Sequence, residues 1–395
     1  MPSIALILQS MRHLLLIVRP CTGKVLPKYD ITRVNLMTLK SKLAASVAVL
    51  GLGSTMAVAE GLERVNIDPS FLFESGSYAE FGYGSVNPSI PSGGAVVRDN
   101  VAGSFTVTNF AAKTSLGDRI DVGLWSTSNG NGASIDWAPT NIKAELKIGT
   151  MAAMVRYRFN DNMSIIGGLK RVSLDDGGYL RLPLGVNDST FNMSSASATS
   201  GIFGVSYEDP SIAMRLAMWT EAKASLDIGT SYTIGAGGAT QSGTTSASIG
   251  DATTISFQTG IMTNTLLFGN VRVSSWKNNQ VYVPTSSSTS QQVSSFGDGS
   301  SYTLGVGRKF SDKLSASVSY FSDPASDCDS VSSLGPVCEN TSINLGAKYS
   351  LSEAADLSLG TTWTQYGDAT VSGLGGTTTT KSTKTSYGFK LSYKF

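Results

Sequence analysis

The connections in this chain come in two sizes, and the sizes alternate. From residue 77 to residue 395 the sequence carries fourteen segments in which every second side chain is apolar: 77–88, 103–116, 119–128, 141–159, 163–173, 198–208, 211–227, 251–262, 265–277, 300–310, 313–322, 340–351, 356–369 and 384–395. A period of two is the signature of a strand with unlike faces. Six connections are minimal: Gly117-Asp118, Asn160-Asp161-Asn162, Asp209-Pro210, Thr263-Asn264, Ser311-Asp312 and 352–355. The seven between them, 89–102, 129–140, 174–197, 228–250, 278–299, 323–339 and 370–383, are long and rich in Gly, Ser, Thr and Asn. A transmembrane barrel with both ends in the periplasm requires this asymmetry, with short turns inside and long loops outside. A soluble sandwich has no reason to keep it. The expected fold is all-β, a 14-stranded antiparallel transmembrane barrel over 77–395.

Side-chain order within the segments agrees. In the last one, Tyr387, Phe389, Leu391, Tyr393 and Phe395 share one face, and Gly388, Lys390, Ser392 and Lys394 the other. The first face suits lipid and the second a wet lumen. Ile212, Met214, Leu216 and Met218 are set in the same way against Arg215, Glu221 and Lys223, and Ile343, Leu345, Ala347, Tyr349 and Leu351 form another outward row. Tyr157, Phe159, Tyr207, Phe310 and Tyr349 sit just before short turns, where a periplasmic aromatic girdle belongs. One segment changes phase. Its apolar set runs Ala144, Leu146, Ile148 and then Met151, Ala153, Val155, Tyr157, which predicts a bulge or bend at Gly149-Thr150. Gly123 is a second candidate for a strand break.

The start of the chain must be subtracted before charge is counted. Residues 37–59 have basic Lys40 and Lys42, an apolar run from Leu43 to Leu52 and the small-residue site Ala57-Val58-Ala59, the three parts of a secretory signal peptide in order. The true start is expected at Met37, with 1–36 an upstream extension mis-assigned to the chain, and no lipobox precedes Cys21. Removing 1–59 takes away seven of 30 basic residues and one of 29 acidic ones, leaving a net charge of −5. That is no footprint for nucleic acid. The sole histidine, His13, leaves too. A Ser-His-Asp or Cys-His site is then impossible, and the commonest metal ligand is missing. The mature protein is expected not to be an enzyme and to hold neither cofactor nor metal. Composition argues the same way: charged residues are only 15% of the chain against a usual quarter or so, so long helical bundles are disfavoured. Past residue 60 no apolar run approaches the roughly 20 residues a spanning helix needs. Cys328 and Cys338 remain, in a loop, and in an oxidising compartment should pair as a disulfide. Asp323, Asp327 and Asp329 nearby lack the spacing of a calcium loop and read as solvated acids.

Several phrases look familiar in this order: MAAMVRYRFNDNMSIIGG from Met151, MWTEAKASLD from Met218, VRVSSW from Val271, YTLGVGRKF from Tyr302 and LSLGTTWTQYGDATV from Leu357. With the count of fourteen strands, the chain resembles the FadL/TodX family of outer-membrane transporters for long-chain fatty acids and hydrocarbons, over nearly all of 60–395. The resemblance implies a Gram-negative outer-membrane location among lipid and lipopolysaccharide, a monomer, and a barrel plugged by an N-terminal hatch. It also implies capture of a hydrophobic molecule by outer loops, a pocket above the hatch, and sideways release at a kinked strand. The chain departs from the family in its short hatch, 60–76, whose Asp68-Pro69-Ser70 stands where an Asn-Pro-Ala motif is usual. The terminal Phe395 on an amphipathic strand resembles the signal read by the barrel-insertion machinery.

A hydrophobic cargo needs apolar footholds, because each methylene sheltered from water is worth roughly 0.8 kcal/mol. Phe71, Leu72 and Phe73 in the hatch are candidate footholds. Leu180, Leu182, Leu184 and Phe191, with Tyr179, are candidates in loop 174–197, although packing within the loop would use the same residues. Arg156, Arg158, Arg215 and Lys223, read as inward, are candidate partners for a substrate carboxylate, or simply line the lumen. The main alternative is a general or anion-selective aqueous porin, though porins usually have sixteen or more strands. An outer-membrane enzyme with a carboxylate site, or an adhesive barrel, are the remaining classes.

Overall fold

The computed structural model describes residues 61–184, 187–324 and 327–395; the expected signal peptide and upstream extension lie outside the described residues. Among the described residues, fourteen antiparallel strands form the wall: Tyr78–Ser89, Phe105–Leu116, Ile120–Asp136, Lys143–Arg158, Met163–Leu174, Ala196–Asp209, Met214–Glu221, Ala252–Met262, Thr265–Ser274, Gly299–Lys309, Leu314–Asp323, Asn340–Ser350, Ala355–Tyr366 and Thr383–Lys394. Neighbours in this order pair. Tyr78–Ser89 also bonds to Thr383–Lys394, which closes the ring. Closure satisfies the backbone without a free edge, the condition for crossing hydrocarbon with strands. No helix among the described residues is long and apolar enough to cross a membrane.

The outer face is greasy. Phe110, Leu124, Val155, Leu169, Phe203, Met218, Leu304, Val318, Leu345 and Leu391 are all exposed, while Lys113, Asp121, Lys170, Glu221, Arg272, Ser319, Thr362 and Lys390 are buried on the inward face. Phe159, Tyr207, Phe310 and Tyr349 are exposed beside the short turns, with Tyr157 and Phe159 packed edge to face at 5.3 Å between centroids. A closed wall with an apolar exterior and a polar interior is an outer-membrane barrel.

Two of the expected long loops are sheet instead. Residues 174–197 fold into the hairpin Gly178–Leu184/Asn187–Met193, and 228–250 into the second half of Ala224–Ile234 and its partner Thr240–Ile249. These four strands, with Tyr282–Pro284 and Ser290–Gln292, continue the wall beyond the long-loop end, entering it through Lys143–Glu145. Their inward side chains, with residues that follow the wall strands, form a dry cap: Trp137, Leu180, Phe191, Tyr232, Trp276 and Val283 are no more than 1% exposed. Cys328 and Cys338 are joined by a disulfide, with 5.4 Å between Cα atoms, and Cys338 packs into this cap.

Three positions differ from expectation. The strand Lys143–Arg158 is unbroken at Gly149: its even-numbered residues face inward throughout, from Ala144 to Arg156. The irregularity is on the neighbouring strand. Thr127 pairs with Thr150, but the next pair is Asn131 with Ile148, so two extra residues bulge out among Ser128, Asn129 and Gly130. Asn129 takes the left-handed conformation there (φ 53°), which asparagine tolerates better than most residues. Gly123 is no break either, since it pairs regularly with Lys113 and Met154. Lys223 does not face inward. The strand read as 211–227 ends at Glu221 and a new one begins at Ala224; the two residues between are both exposed, and Lys223 points away from the lumen side.

Candidate functional site

The hatch threads the lumen from the cap toward the short-turn end. At its start Leu62 belongs to the cap core. Its backbone then docks on the bulged strand: Gly132 N–H donates to Leu62 O at 2.7 Å, and Arg64 and Val65 N–H both donate to Gly130 O at 2.9 and 2.8 Å. The bulge frees those groups and the hatch satisfies them. Lower down, Pro69–Phe73 forms a short 3-10 turn. The Asp68-Pro69-Ser70 tripeptide makes this turn: the Asp68 carboxylate accepts from Ser70 N–H and Ser70 Oγ, both at 2.9 Å, and Pro69 occupies a first-turn position that needs no N–H. Phe71 and Leu72 are buried against the wall. A Cβ at Gly123 would lie 2.5 Å from the Phe71 ring and 2.7 Å from Leu72. Gly123 is therefore the notch into which the hatch wedges.

Charge fixes the hatch as well. Glu63 receives Arg272 at 2.5 Å, and Arg272 also reaches Glu221 at 3.0 Å, which in turn takes Lys170 at 3.1 Å. All four are nearly fully buried, so each charge depends on its neighbours. Below, Lys113 pairs with Asp121 at 2.9 Å, Arg158 bonds the same carboxylate, and Arg156 pairs with Glu208. Lys390 meets Glu80 at 2.9 Å. Phe73 lies between two cations, with Arg156 4.1 Å and Arg215 4.5 Å from its ring centroid. Both guanidiniums are placed over an aromatic face, the favourable geometry.

Beside the hatch lies a cavity of about 120 Å³. Val65, Ile67, Asp68 and Ser70 of the hatch form one side, and Trp125, Trp219, Phe268, Asn270, Arg215 and Arg272 of the wall the other. A second, larger depression of about 410 Å³ faces the lipid side, lined by Phe81, Phe110, Met151, Ser128, Gly149 and Arg171 among others. It sits over a gap in the wall. Phe105–Leu116 pairs with Ile120–Asp136 only from Asn109 downward. Above that level side chains span the opening: Thr108 N–H donates to Ser128 Oγ at 3.0 Å, and Asn129 Nδ2 to Thr106 O at 3.2 Å. Arg64 reaches it from the inside, bonded to Asn129 and 4.1 Å from the Phe105 ring centroid. Asn109 lines both the inner cavity and the outer depression.

The residues singled out in the sequence thus fall into different places. Asp68, Ser70, Phe73, Arg156 and Arg215 converge on the hatch and its cavity. Leu180, Leu182, Leu184 and Phe191 are 0–9% exposed in the cap core and present no open apolar patch. Arg158 is bound to Asp121 and to the Asp118 carbonyl. The cavity residues that sequence reasoning missed are Trp125, Trp219, Phe268 and Asn109. The first three carried a signal: each is a large aromatic residue in the inward phase of a strand whose outward phase is already apolar. Among the described residues no group of three His, Cys, Asp or Glu side chains could hold a metal ion.

No protein-family model matches the sequence, and no curated protein does. Solved structures do match in fold. A Pseudomonas aeruginosa FadL homologue superposes with a TM-score of 0.68 at 11% identity, covering 82% of this chain and 92% of that one. The Ralstonia pickettii toluene transporter TbuX gives 0.61 at 12%, covering 88% and 99%. The P. putida toluene transporter TodX gives 0.59 at 11%, over the same shares of the two chains. The chain shares the fourteen-stranded fold of these FadL-like outer-membrane hydrocarbon transporters.

Proposed function

We propose that the protein mediates passive uptake of hydrophobic small molecules, of the kind typified by hydrocarbons and fatty acids, with sideways release into the outer membrane. The observation that carries this reading is Asn109: this one residue borders both the inner cavity and the lipid-facing depression. A molecule leaving through the gap between Phe105–Thr108 and the bulge passes from protein into hydrocarbon and never into water. That route avoids the cost of about 0.8 kcal/mol for each methylene hydrated. Arg64 stands at the inner side of the gap, so movement of the hatch start would widen it. The cap provides the outer approach, and Leu180, Leu182, Leu184 and Phe191 serve cargo only when the cap opens. The aqueous-porin reading is less well supported, since the hatch is wedged at Gly123 and anchored at Arg272 across the lumen.

Reconstitution into liposomes tests the reading. Toluene and oleate should enter faster with protein than without, while sugars cause little swelling. Phe73→Ala should reduce cargo uptake by loosening the guanidinium stack, and Asn109→Trp should reduce it by filling the passage. Fast sugar swelling with no dependence on either residue would favour the porin instead.

A further inference from the structure

The lipid-facing depression has a charged end and a greasy end. Phe81 pairs with Phe110, Phe110 with Ser126, Ser126 with Met151 and Met151 with Arg171, so five strands set these residues in one row. All five line the depression. Arg171 lies near the outer end of Met163–Leu174, and Phe81 near the short-turn end of Tyr78–Ser89. Neighbouring strands stand about 4.8 Å apart, so the row is roughly 19 Å long. With the strand tilt of about 35–45° usual in such barrels, it descends by roughly 11–13 Å, half of an apolar band about 25 Å tall. That is the depth of one leaflet.

Arg171 is exposed where the apolar belt ends, one outward step above Leu169. Its guanidinium donates to Ser197 Oγ at 2.7 Å, and among the described residues no carboxylate pairs with it. Lys143 and Lys147, the outward cations of the neighbouring strand, have Asp136 at 3.6 Å and Glu145 at 3.9 Å. Asp175 and Asp176 are exposed in the turn beyond Arg171, roughly 13 Å or more further along the chain. On the far side of the barrel the outer rim is neutral and aromatic, with Tyr302, Tyr320, Trp363 and Tyr387 exposed. An arginine at this level keeps its stem in hydrocarbon and its head among the headgroups, where its fork matches a phosphate. The outer leaflet of an outer membrane is lipopolysaccharide, whose phosphorylated lipid A joins that anion to alkyl chains in one molecule. We infer that the depression is a binding site for lipopolysaccharide, with a lipid A phosphate on Arg171 and one acyl chain along Met151, Phe110 and Phe81. The site concerns the membrane around the barrel and goes beyond the uptake reading.

The test is native mass spectrometry of the mature protein extracted from outer membranes that carry deep-rough lipopolysaccharide. One lipopolysaccharide should stay with each barrel after detergent has stripped the rest. Arg171→Ala should lower the retained fraction at least tenfold. Arg308→Ala, which removes an exposed cation at the short-turn end, should leave it unchanged. Offered to delipidated protein, lipopolysaccharide freed of its lipid A phosphates, and phosphatidylglycerol, should each be retained at least tenfold less than the intact molecule. Decanoate should not displace the bound lipid, and a photoactivatable acyl chain on that lipid should crosslink to Phe110 or Met151. Retention indifferent to Arg171→Ala, or lost equally with Arg308→Ala, would overturn the inference, as would no retained lipid at all. So would equal retention of the phosphate-free form, or crosslinks confined to other faces of the barrel. Phosphatidylglycerol held as tightly would assign the depression to a phospholipid, and displacement by decanoate would make Arg171 a station for cargo; either result removes the lipopolysaccharide site.

Discussion

The strand Lys143–Arg158 belongs to two different worlds. In its upper half Ala144, Leu146 and Ile148 face inward into the cap, and Lys143, Glu145 and Lys147 face out. In its lower half Met151, Ala153 and Val155 face out, and Thr150 and Arg156 face inward with Ala152 and Met154. The backbone keeps one phase throughout. What inverts is the solvent. The cap stands in water and hides its apolar side chains as a soluble domain does, whereas the belt below stands in lipid and displays them. The hydrophobic effect drives the cap but offers nothing to the outer face of the belt, where hydrocarbon is as apolar as the side chains.

The largest expected effect separates the two regions directly. Phe191 is fully buried and stacked with Tyr232 at 6.1 Å. Phe191→Ala should destabilise the cap by about 3–5 kcal/mol, the usual cost of emptying an aromatic site. Limited proteolysis should then cut 174–197 and 228–250 while the barrel keeps its heat-modifiable migration in SDS gels. Joint loss of cap and barrel would mean that the two regions are one cooperative unit.

Next in size is a charge on the lipid face. Leu345 is 44% exposed near the middle of its strand. Leu345→Arg should cost about 2–4 kcal/mol in urea unfolding from vesicles, as expected for Arg near the bilayer midplane. A new arginine on the outward face of the cap, as in Ser231→Arg on the strand Ala224–Ile234, should cost almost nothing. Equal costs at the two positions would place the membrane boundary elsewhere.

The disulfide ranks third. It closes a loop with a sequence separation of 10, so the chain-entropy relation gives roughly 2–3 kcal/mol. Reduction, or Cys328→Ser with Cys338→Ser, should lower cap stability by that amount and leave the barrel transition unmoved.

How far this molecule was legible follows from the same division. The strands stood out because lipid imposes a strict period of two, and every expected segment overlaps a wall strand. The cap was misread as loops because its hairpins are short and polar outside, with apolar residues spread over 62–374 that meet only in three dimensions. Glycine at the phase switch suggested a break at Gly149, yet the inversion of polarity was the membrane edge. Lys223 was misplaced because a continuous strand was drawn through Ala222 and Lys223, where the wall ends and the cap begins. The hatch residues Phe71, Leu72 and Phe73 were visible as an apolar cluster, but the fit of Phe71 and Leu72 against Gly123 depends on a residue about fifty positions away. Trp219 was hidden by its own context, since an aromatic in a barrel strand is read as lipid-facing unless its phase is counted.

The smallest stability change is expected where the two regions meet. Ser128, Asn129 and Gly130 hold two residues more than the partner strand needs between Thr127 and Asn131. Deleting Ser128 and Asn129 would let the ladder with Lys143–Arg158 run on without a shift, and would allow Phe105–Thr108 to pair across the present gap. Four added backbone pairings offset the loss of four bonds, the two between Thr108 and Ser128 and those of Asn129 to Thr106 and Arg64, so urea unfolding should move by less than about 1 kcal/mol, each bond being worth roughly that much. Toluene uptake into liposomes should nevertheless fall to the level of protein-free vesicles, because no opening would remain beside Asn109. Stability kept with uptake lost would make the bulge an exit and not a flaw in the wall. Uptake preserved in a correctly folded deletion would send the cargo by another path, down the lumen past Phe73.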